Sequence, residues 1–152
     1  MSFVKLTSAL KAVIETVKTD TDRIQEIYDY ETSKFRGYPA VTIVPSSNSN
    51  DYETTKDNKR TYTFTIRIFL ERKVEAPQDQ ESRLRQLMDN MLDAFDSEDN
   101  WRLTSANLPA GYTLIILQPS PSEWGYVEAE TAILRYAEIK AKVQVSVNCQ
   151  TI

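Results

Sequence analysis

The side chains best suited to metal chemistry form an acidic group in the second half of the chain. Asp89, Asp93 and Asp96 recur at helical spacing, and Glu98 and Asp99 follow directly after them. Carboxylate oxygens gathered in this way are the ligands that hard divalent cations prefer. However, the solvent-facing side of an amphipathic helix has the same spacing, and a metal site normally takes ligands from a second element. We therefore interpret these residues as a solvated helix face and expect neither a metal nor another cofactor.

Nucleophilic and acid–base catalysis lack the residues that they need. The 152 residues include no histidine, so Cys149 has no imidazole to activate it and a Ser-His-Asp triad cannot form. The chain has three glycines, which are too few for a phosphate-binding loop. The Thr-Asp-Thr-Asp sequence at residues 19–22 lacks the glycine and the distant glutamate of an EF-hand. The sequence therefore predicts a protein that is not an enzyme.

Composition and charge argue against nucleic-acid and membrane partners. The chain carries 22 acidic and 18 basic residues, a net charge of −4, and no basic run is longer than two residues. A protein that neutralises phosphates needs a concentrated positive stripe, and we find none. The longest apolar run, residues 114–117, is far too short to span a bilayer. We expect no nucleic-acid sequence recognition and no membrane contact.

Two segments have the apolar spacing of amphipathic helices. The first begins with Ser2 as a cap and should end near Lys18; its apolar face comprises Phe3, Leu6, Leu10, Val13 and Val17. The second begins at Pro77, where the missing N–H is harmless, and should end within residues 96–100. Its apolar stripe comprises Leu84, Leu87, Met88, Met91, Leu92 and Phe95.

The remaining ordered segments read as strands. Residues 60–71 alternate most clearly, with aromatic and aliphatic side chains on one face and Thr61, Thr63, Thr65 and Arg67 on the other. Other strands are predicted at residues 23–30, 40–44, 112–118 and 131–147. Pro119 and Pro121 interrupt the strand at residues 112–118, beyond which residues 124–127 could add a short edge segment. Residues 46–58 are polar and are predicted to form a long surface loop.

The element order α-β-β-β-α-β-β predicts a single α+β domain over residues 1–152. We expect an antiparallel or mixed sheet of about four to six strands, with both amphipathic helices packed on one face. The other face would then meet water or a neighbouring subunit. The aromatic pair Trp124 and Tyr126 could stack on a base or a sugar, but such residues more often pack over a sheet edge or enter a protein interface.

The middle of the chain carries a recognisable pair of segments. Residues 35–46 read Phe-Arg-Gly-Tyr-Pro-Ala-Val-Thr-Ile-Val-Pro-Ser, and residues 58–66 read Asn-Lys-Arg-Thr-Tyr-Thr-Phe-Thr-Ile. Between them lies a polar stretch with Asp-Tyr-Glu-Thr at residues 51–54. Together with the leading helix, the helix at residues 83–95 and the final pair of strands, this section resembles the tail terminator, or tail completion, proteins of long-tailed bacteriophages.

The resemblance implies a structural function in the virion. Such proteins typically form a hexameric ring on the head-proximal end of the finished tail tube. This assembly takes place in the host cytoplasm. They stop polymerisation of the tube protein and form the surface that docks to the head connector or stopper proteins. No catalysis and no cofactor are implied.

Position and chemistry suggest which residues would make these contacts. We expect axial contacts from the polar segment, through Asp51, Tyr52, Glu53, Lys56 and Asp57. We expect contacts between subunits from Thr63, Thr65 and Arg67, with Trp124 and Tyr126 as further interface candidates. A heterologous contact repeated around an axis closes into a ring when the rotation permits.

Three other functions stay open at the level of sequence. The chain could be another neck or tail component, such as a head-side stopper or a tube subunit. It could be a cellular module that binds a ligand on its open sheet. Last, it could be a small hydrolase or nuclease that uses a divalent metal at Asp89 and Asp93.

Overall fold

A computed structural model describes residues 2–17, 23–32, 34–52, 57–71, 77–96, 111–128 and 133–148. The described chain contains two helices and five strands. In chain order these are α1 (Ser2–Glu15), β1 (Glu26–Tyr28), β2 (Ala40–Tyr52), β3 (Asp57–Glu71), α2 (Pro77–Asp96), β4 (Tyr112–Glu128) and β5 (Ile133–Asn148). Cys149 lies outside the described residues, as do residues 19–22, Glu98 and Asp99.

The five strands form one mixed sheet in the order β1-β2-β3-β5-β4. The short strand β1 runs parallel to β2, and every other neighbouring pair is antiparallel. The predicted α+β class, the mixed sheet and the order of helices and strands are therefore confirmed. The two longest pairings, β3 with β5 and β4 with β5, place β5 between two strands over most of its length.

The main core lies along one face of the sheet. Alternate residues of β3 are fully buried there, including Phe64, Ile66 and Ile68, because a strand presents every second side chain to the same side. The apolar stripes of α1 and α2 belong to the same cluster; they contribute Leu6, Leu10, Ile14, Leu84, Leu87 and Met91. Burying this many large aliphatic side chains supplies the main stabilisation of the fold.

A second, smaller cluster occupies part of the opposite face. Phe69, Leu134 and Tyr136 are buried there, and Phe35 and Tyr38 from the β1–β2 connection pack against them. The ring centroids of Phe35 and Phe69 are 4.9 Å apart. The sequence predicted an opposite face open to water or to a neighbour. That expectation is wrong for this end of the sheet, where the aromatic residues of the connection fold back over the strands.

The predicted loop at residues 46–58 is also corrected by the structure. β2 continues to Tyr52 and β3 begins at Asp57, so the two strands stay paired over nearly all of this segment. The polar composition indicates exposure and not a loop, because backbone hydrogen bonds hold a strand pair whether or not its side chains are buried. Residues 53–56 lie outside the described residues.

A single strand replaces the two segments predicted on either side of Pro119 and Pro121. β4 runs from Tyr112 to Glu128 through both prolines and pairs with β5 throughout, with register shifts at residues 114–116 and 121–123. Proline lacks an N–H but is tolerated in an edge strand, where that group would face solvent. β4 is the edge strand of this sheet, which explains how it keeps both residues.

Candidate functional site

The outer part of the β2–β3 hairpin forms an exposed arm, defined as residues 46–52 of β2 and 57–62 of β3. Every residue of the β2 part is exposed, and the side chain of Tyr52 is 67% exposed. Asp51 pairs with Lys59, and Tyr52 pairs with Asn58. β5 continues the sheet beside β3 as far as Asp57, so a third strand supports the arm. The arm thus presents polar side chains on an ordered backbone.

Two asparagines cross-link the arm. Asn58 is buried, and its Nδ2 donates a hydrogen bond of 3.2 Å to Oδ1 of Asn50 on β2. At the base of the arm, Ser46 Oγ donates to the carbonyl oxygen of Thr63 at 3.0 Å. These contacts hold the exposed β2 residues in place without apolar burial. Three axial-contact candidates, Asp51, Tyr52 and Asp57, lie at the far end, whereas Glu53 and Lys56 lie outside the described residues.

The subunit-contact candidates Thr63, Thr65 and Arg67 share the face of β3 opposite the main core. Arg67 Nε donates to Glu138 Oε1 at 2.9 Å, and Ser122 Oγ donates to the other carboxylate oxygen at 2.6 Å. Burial raises the pKa of Glu138, but the hydrogen bonds from Ser122 and Arg67 outweigh it and leave the pKa below its ordinary value. Glu138 is 3% exposed, so it is a buried carboxylate whose two oxygens are satisfied by Arg67 and Ser122.

Neighbouring contacts make the same face a network of intrachain hydrogen bonds. Lys140 Nζ donates to Thr65 Oγ1 at 2.7 Å, and Tyr136 donates its hydroxyl to Glu123. The guanidinium of Arg67 also lies over the ring of Tyr136, 5.3 Å from its centroid. A partner on this face would therefore meet side chains whose hydrogen-bonding groups already have partners within the chain.

A depression of about 430 Å³ lies beside this network. Its lining includes Thr42, Thr65 and Arg67 of the central strands, Glu31 from the β1–β2 connection and Val127 from β4. Its mixture of hydroxyls, one guanidinium and aliphatic carbons would suit a small polar molecule or a side chain of a partner.

Trp124 and Tyr126 lie at the opposite end of the sheet from the arm. They are 40% and 57% exposed, and the guanidinium carbon of Arg135 lies 5.8 Å and 4.8 Å from their ring centroids. Arg135 Nε donates to Glu81 Oε1 of α2 at 2.6 Å. That hydrogen bond lowers the pKa of Glu81. The aromatic pair is therefore fixed by an arginine that also ties the first turns of α2 to the sheet.

The sequence-predicted residues occupy three separate regions and do not form one site. The arm end, the Arg67 network and the Trp124 pair follow one another along the sheet. Twelve positions separate Arg135 from Val147 along β5, which corresponds to roughly 40 Å of strand. An interface that included all three regions would have to extend along the length of the sheet, as an interface between subunits can.

Sequence reasoning missed the charged partners that organise these regions. Glu81, Glu138 and Arg135 were not singled out, although a charged residue inside an apolar strand is a usable signal of a buried pair. It also missed Arg60, whose Nη1 donates to Tyr112 Oη at 2.8 Å and to Tyr62 Oη at 3.5 Å. The pairings depend on sheet register, which the sequence pattern does not fix.

Over the described ranges, no group of three or more histidine, cysteine, aspartate or glutamate side chains is arranged to hold a metal ion. In the same part of the chain, neither helix combines the length and the apolar character that crossing a membrane requires. No protein-family model matches the chain, and no curated protein matches its sequence significantly.

Proposed function

We propose that the protein is a bacteriophage tail terminator, a structural virion protein that caps the tail tube at its head-proximal end. It would act as a ring, most simply a hexamer, that stops polymerisation of the tube protein and presents the surface for the head connector or stopper. The proposal combines the resemblance of residues 35–46 and 58–66 with the physical character of the arm. No catalytic step is involved.

The exposed arm is the observation that carries the proposal. The β2 part of the arm is exposed throughout, so it buries little apolar surface and adds little to the stability of the isolated chain. Fixing its backbone nevertheless costs conformational entropy. Polar side chains held on such a frame suit recognition, because the partner does not have to order them. Asp51, Tyr52 and Asp57 at its end, together with Glu53 and Lys56, are the proposed contacts to the tube or connector.

The same proposal includes the position of the two helices relative to the sheet. Both helices would cover the face that holds the main core, so that contacts between subunits fall on the other face and on the sheet edges. Thr63, Thr65 and Arg67 would border that contact on the open face, and Trp124 and Tyr126 would border it at the β4 edge. Aromatic and arginine side chains are the residues that most often dominate interface energetics.

The two edges of the sheet differ in a way that favours a finite assembly. β1 pairs with β2 only at Ala40–Thr42, so the described chain leaves the outer edge of β2 uncovered over the arm. The β4 edge carries Pro119 and Pro121, which remove N–H donors and discourage open-ended strand addition. Unlike edges of this kind favour a heterologous contact, which closes into a ring when its rotation permits.

The proposal is tested by truncating the arm. A deletion of residues 48–57 should leave a cooperatively folded protein, because the main core lies elsewhere, but should block tail completion in an infection assay. A finer variant is Tyr52→Ser, with Val4→Ser as its matched control, since both side chains are 67% exposed and Val4 lies on α1. Normal yields of infectious particles from the deletion would refute the assignment.

A second function is favoured by one observation, the depression beside Arg67. A ligand-binding module would be monomeric and would show saturable binding in that depression.

Electron microscopy of the purified protein distinguishes a terminator from other neck or tail components. A tube subunit polymerises into tubes of open length, a terminator forms closed rings, and a head-side stopper binds isolated connectors but not tail tubes.

A further inference from the structure

Three arginines lie in the described strands, and they are satisfied in different ways. Arg67 donates to the carboxylate of Glu138, and Arg135 donates to both carboxylate oxygens of Glu81, at 2.6 Å and 3.3 Å. Arg60 on β3 has no such partner in the part of the chain that the structure describes; its Nη1 donates to the phenol oxygens of Tyr112 and Tyr62. Among these three strand arginines, Arg60 thus stands apart as the one without a carboxylate partner among the described residues.

The geometry of Arg60 leaves its strongest binding edge unused. Both phenol contacts use Nη1, so Nε and Nη2 remain as a parallel pair of N–H donors. Arg60 is half-buried, and neither nitrogen is among the fully buried unpaired side-chain atoms of the described residues. The guanidinium carbon lies 5.7 Å from the ring centroid of Tyr112, which helps to fix its orientation.

We propose that Arg60 and Tyr112 form a receptor for a carboxylate of a second copy of the chain. The Nε–Nη2 edge of a guanidinium matches the two oxygens of a carboxylate, and such bidentate pairs are stronger and more directional than other ion pairs. The phenols hold the guanidinium in advance, which lowers the entropic cost of forming the contact. This inference rests on the proposed ring assembly and adds to it a contact on the side of the sheet that carries the main core, beside the contacts proposed for the opposite face and the edges.

Charge favours a second copy as the source of the carboxylate. The chain has 22 acidic against 18 basic residues, so its surface offers carboxylates in excess. Asp89, Asp93 and Asp96 form an exposed row along α2, an element distinct from the strand that carries Arg60. A contact between two different patches is heterologous, as a closed ring requires. The acidic row that the sequence offered as a metal site would then serve as the other half of this contact.

The test measures the association constant by light scattering over a range of concentrations. Arg60→Gln removes the charge and the fork and should weaken association at least tenfold. Arg60→Lys keeps the charge but not the fork and should fall between wild type and Arg60→Gln. Arg36→Gln makes the same change at an exposed arginine and should associate as the wild type does. Replacing the three α2 aspartates by asparagine should weaken association to the same extent as Arg60→Gln, with no further loss when the changes are combined.

A variant of Tyr112 tests whether Arg60 binds a partner carboxylate or only stabilises its own chain. Tyr112→Phe removes the 2.8 Å bond that orients the guanidinium but keeps its charge and its free edge, so it should weaken association measurably but by less than Arg60→Gln does. If it loses as much as Arg60→Gln does, or if Arg60→Gln forms rings as stable as the wild type, the receptor is refuted while the ring proposal stands. If the wild type stays monomeric at every concentration, the second copy is refuted as the source, together with the ring.

Discussion

Replacing Glu138 by glutamine tests whether the network on the polar face of the sheet stabilises the protein. The buried carboxylate accepts hydrogen bonds from Arg67 Nε at 2.9 Å and from Ser122 Oγ at 2.6 Å. Hydrogen bonds to a charged group contribute about 1.5–3 kcal/mol each, and glutamine keeps the shape while removing the charge. The side chain of Arg67 is 32% exposed, so water compensates part of the loss. We expect Glu138→Gln to lower the free energy of unfolding by about 2 kcal/mol.

The assay is urea denaturation followed by circular dichroism, with thermal unfolding as a second readout. A loss of about 2 kcal/mol corresponds to roughly 4–8 °C in melting temperature for a chain of this length. Glu128→Gln is the matched control, because it neutralises an exposed carboxylate at the end of β4 and should change stability by less than about 0.5 kcal/mol. A double-mutant cycle with Arg67→Gln should give a coupling free energy of about 1 kcal/mol. A Glu138→Gln variant as stable as the control would refute this reasoning.

Three further predictions concern stability. Gly125→Ala should destabilise by about 1–3 kcal/mol in thermal melts, because the new Cβ would lie 3.0 Å from Tyr136 Oη; an unchanged melting temperature would contradict the packing. The pKa values of Glu81 and Glu138 are lowered on folding, so their stabilisation is complete above the ordinary carboxyl pKa and is lost as the pH falls below it. The urea concentration at the midpoint of unfolding should therefore decrease as the pH is lowered from about 5 to about 3. This decrease should be smaller in Glu138→Gln than in the wild type. Phe69→Ala should cost about 3–5 kcal/mol in urea titrations, since this residue is 5% exposed at the centre of the second cluster; a loss below about 1 kcal/mol would show that the cluster is dispensable.

The helices and the central strand could be predicted from the sequence because their signals are local. The spacing of Leu84, Leu87 and Met91 fixes the buried side of α2, and all three are fully buried. The alternation through Phe64 and Ile66 likewise fixes the core face of β3. In both cases the residues that form the pattern are neighbours in the chain, so no knowledge of the rest of the fold is required.

The features that sequence missed depend on distant contacts. Arg67 and Glu138 are 71 positions apart, and only the register of β3 against β5 brings them together. Residues 46–58 were predicted as a loop because polarity was taken as a sign of irregular backbone, whereas strand pairing is indifferent to polarity on an exposed surface. Pro119 was taken as a break because the sequence does not show that β4 is an edge strand.

The candidate site was only partly accessible for the same reason. Tyr52, Trp124 and Tyr126 were named as interface residues from their residue types and positions in the chain, and all three side chains are exposed. Their separation along the sheet and the role of Arg135 in fixing the aromatic pair could not be derived without the strand order. Whether these residues contact a partner stays a prediction.

The solution mass of the wild-type protein, measured by light scattering after size exclusion over a range of concentrations, tests the central proposal most directly. One copy weighs 17.5 kDa, so a hexameric ring of six copies weighs 105 kDa. We predict a discrete species of about that mass, seen as closed rings by electron microscopy. A strict monomer at every concentration, or tubes of unlimited length, would contradict the assignment as a ring-forming terminator.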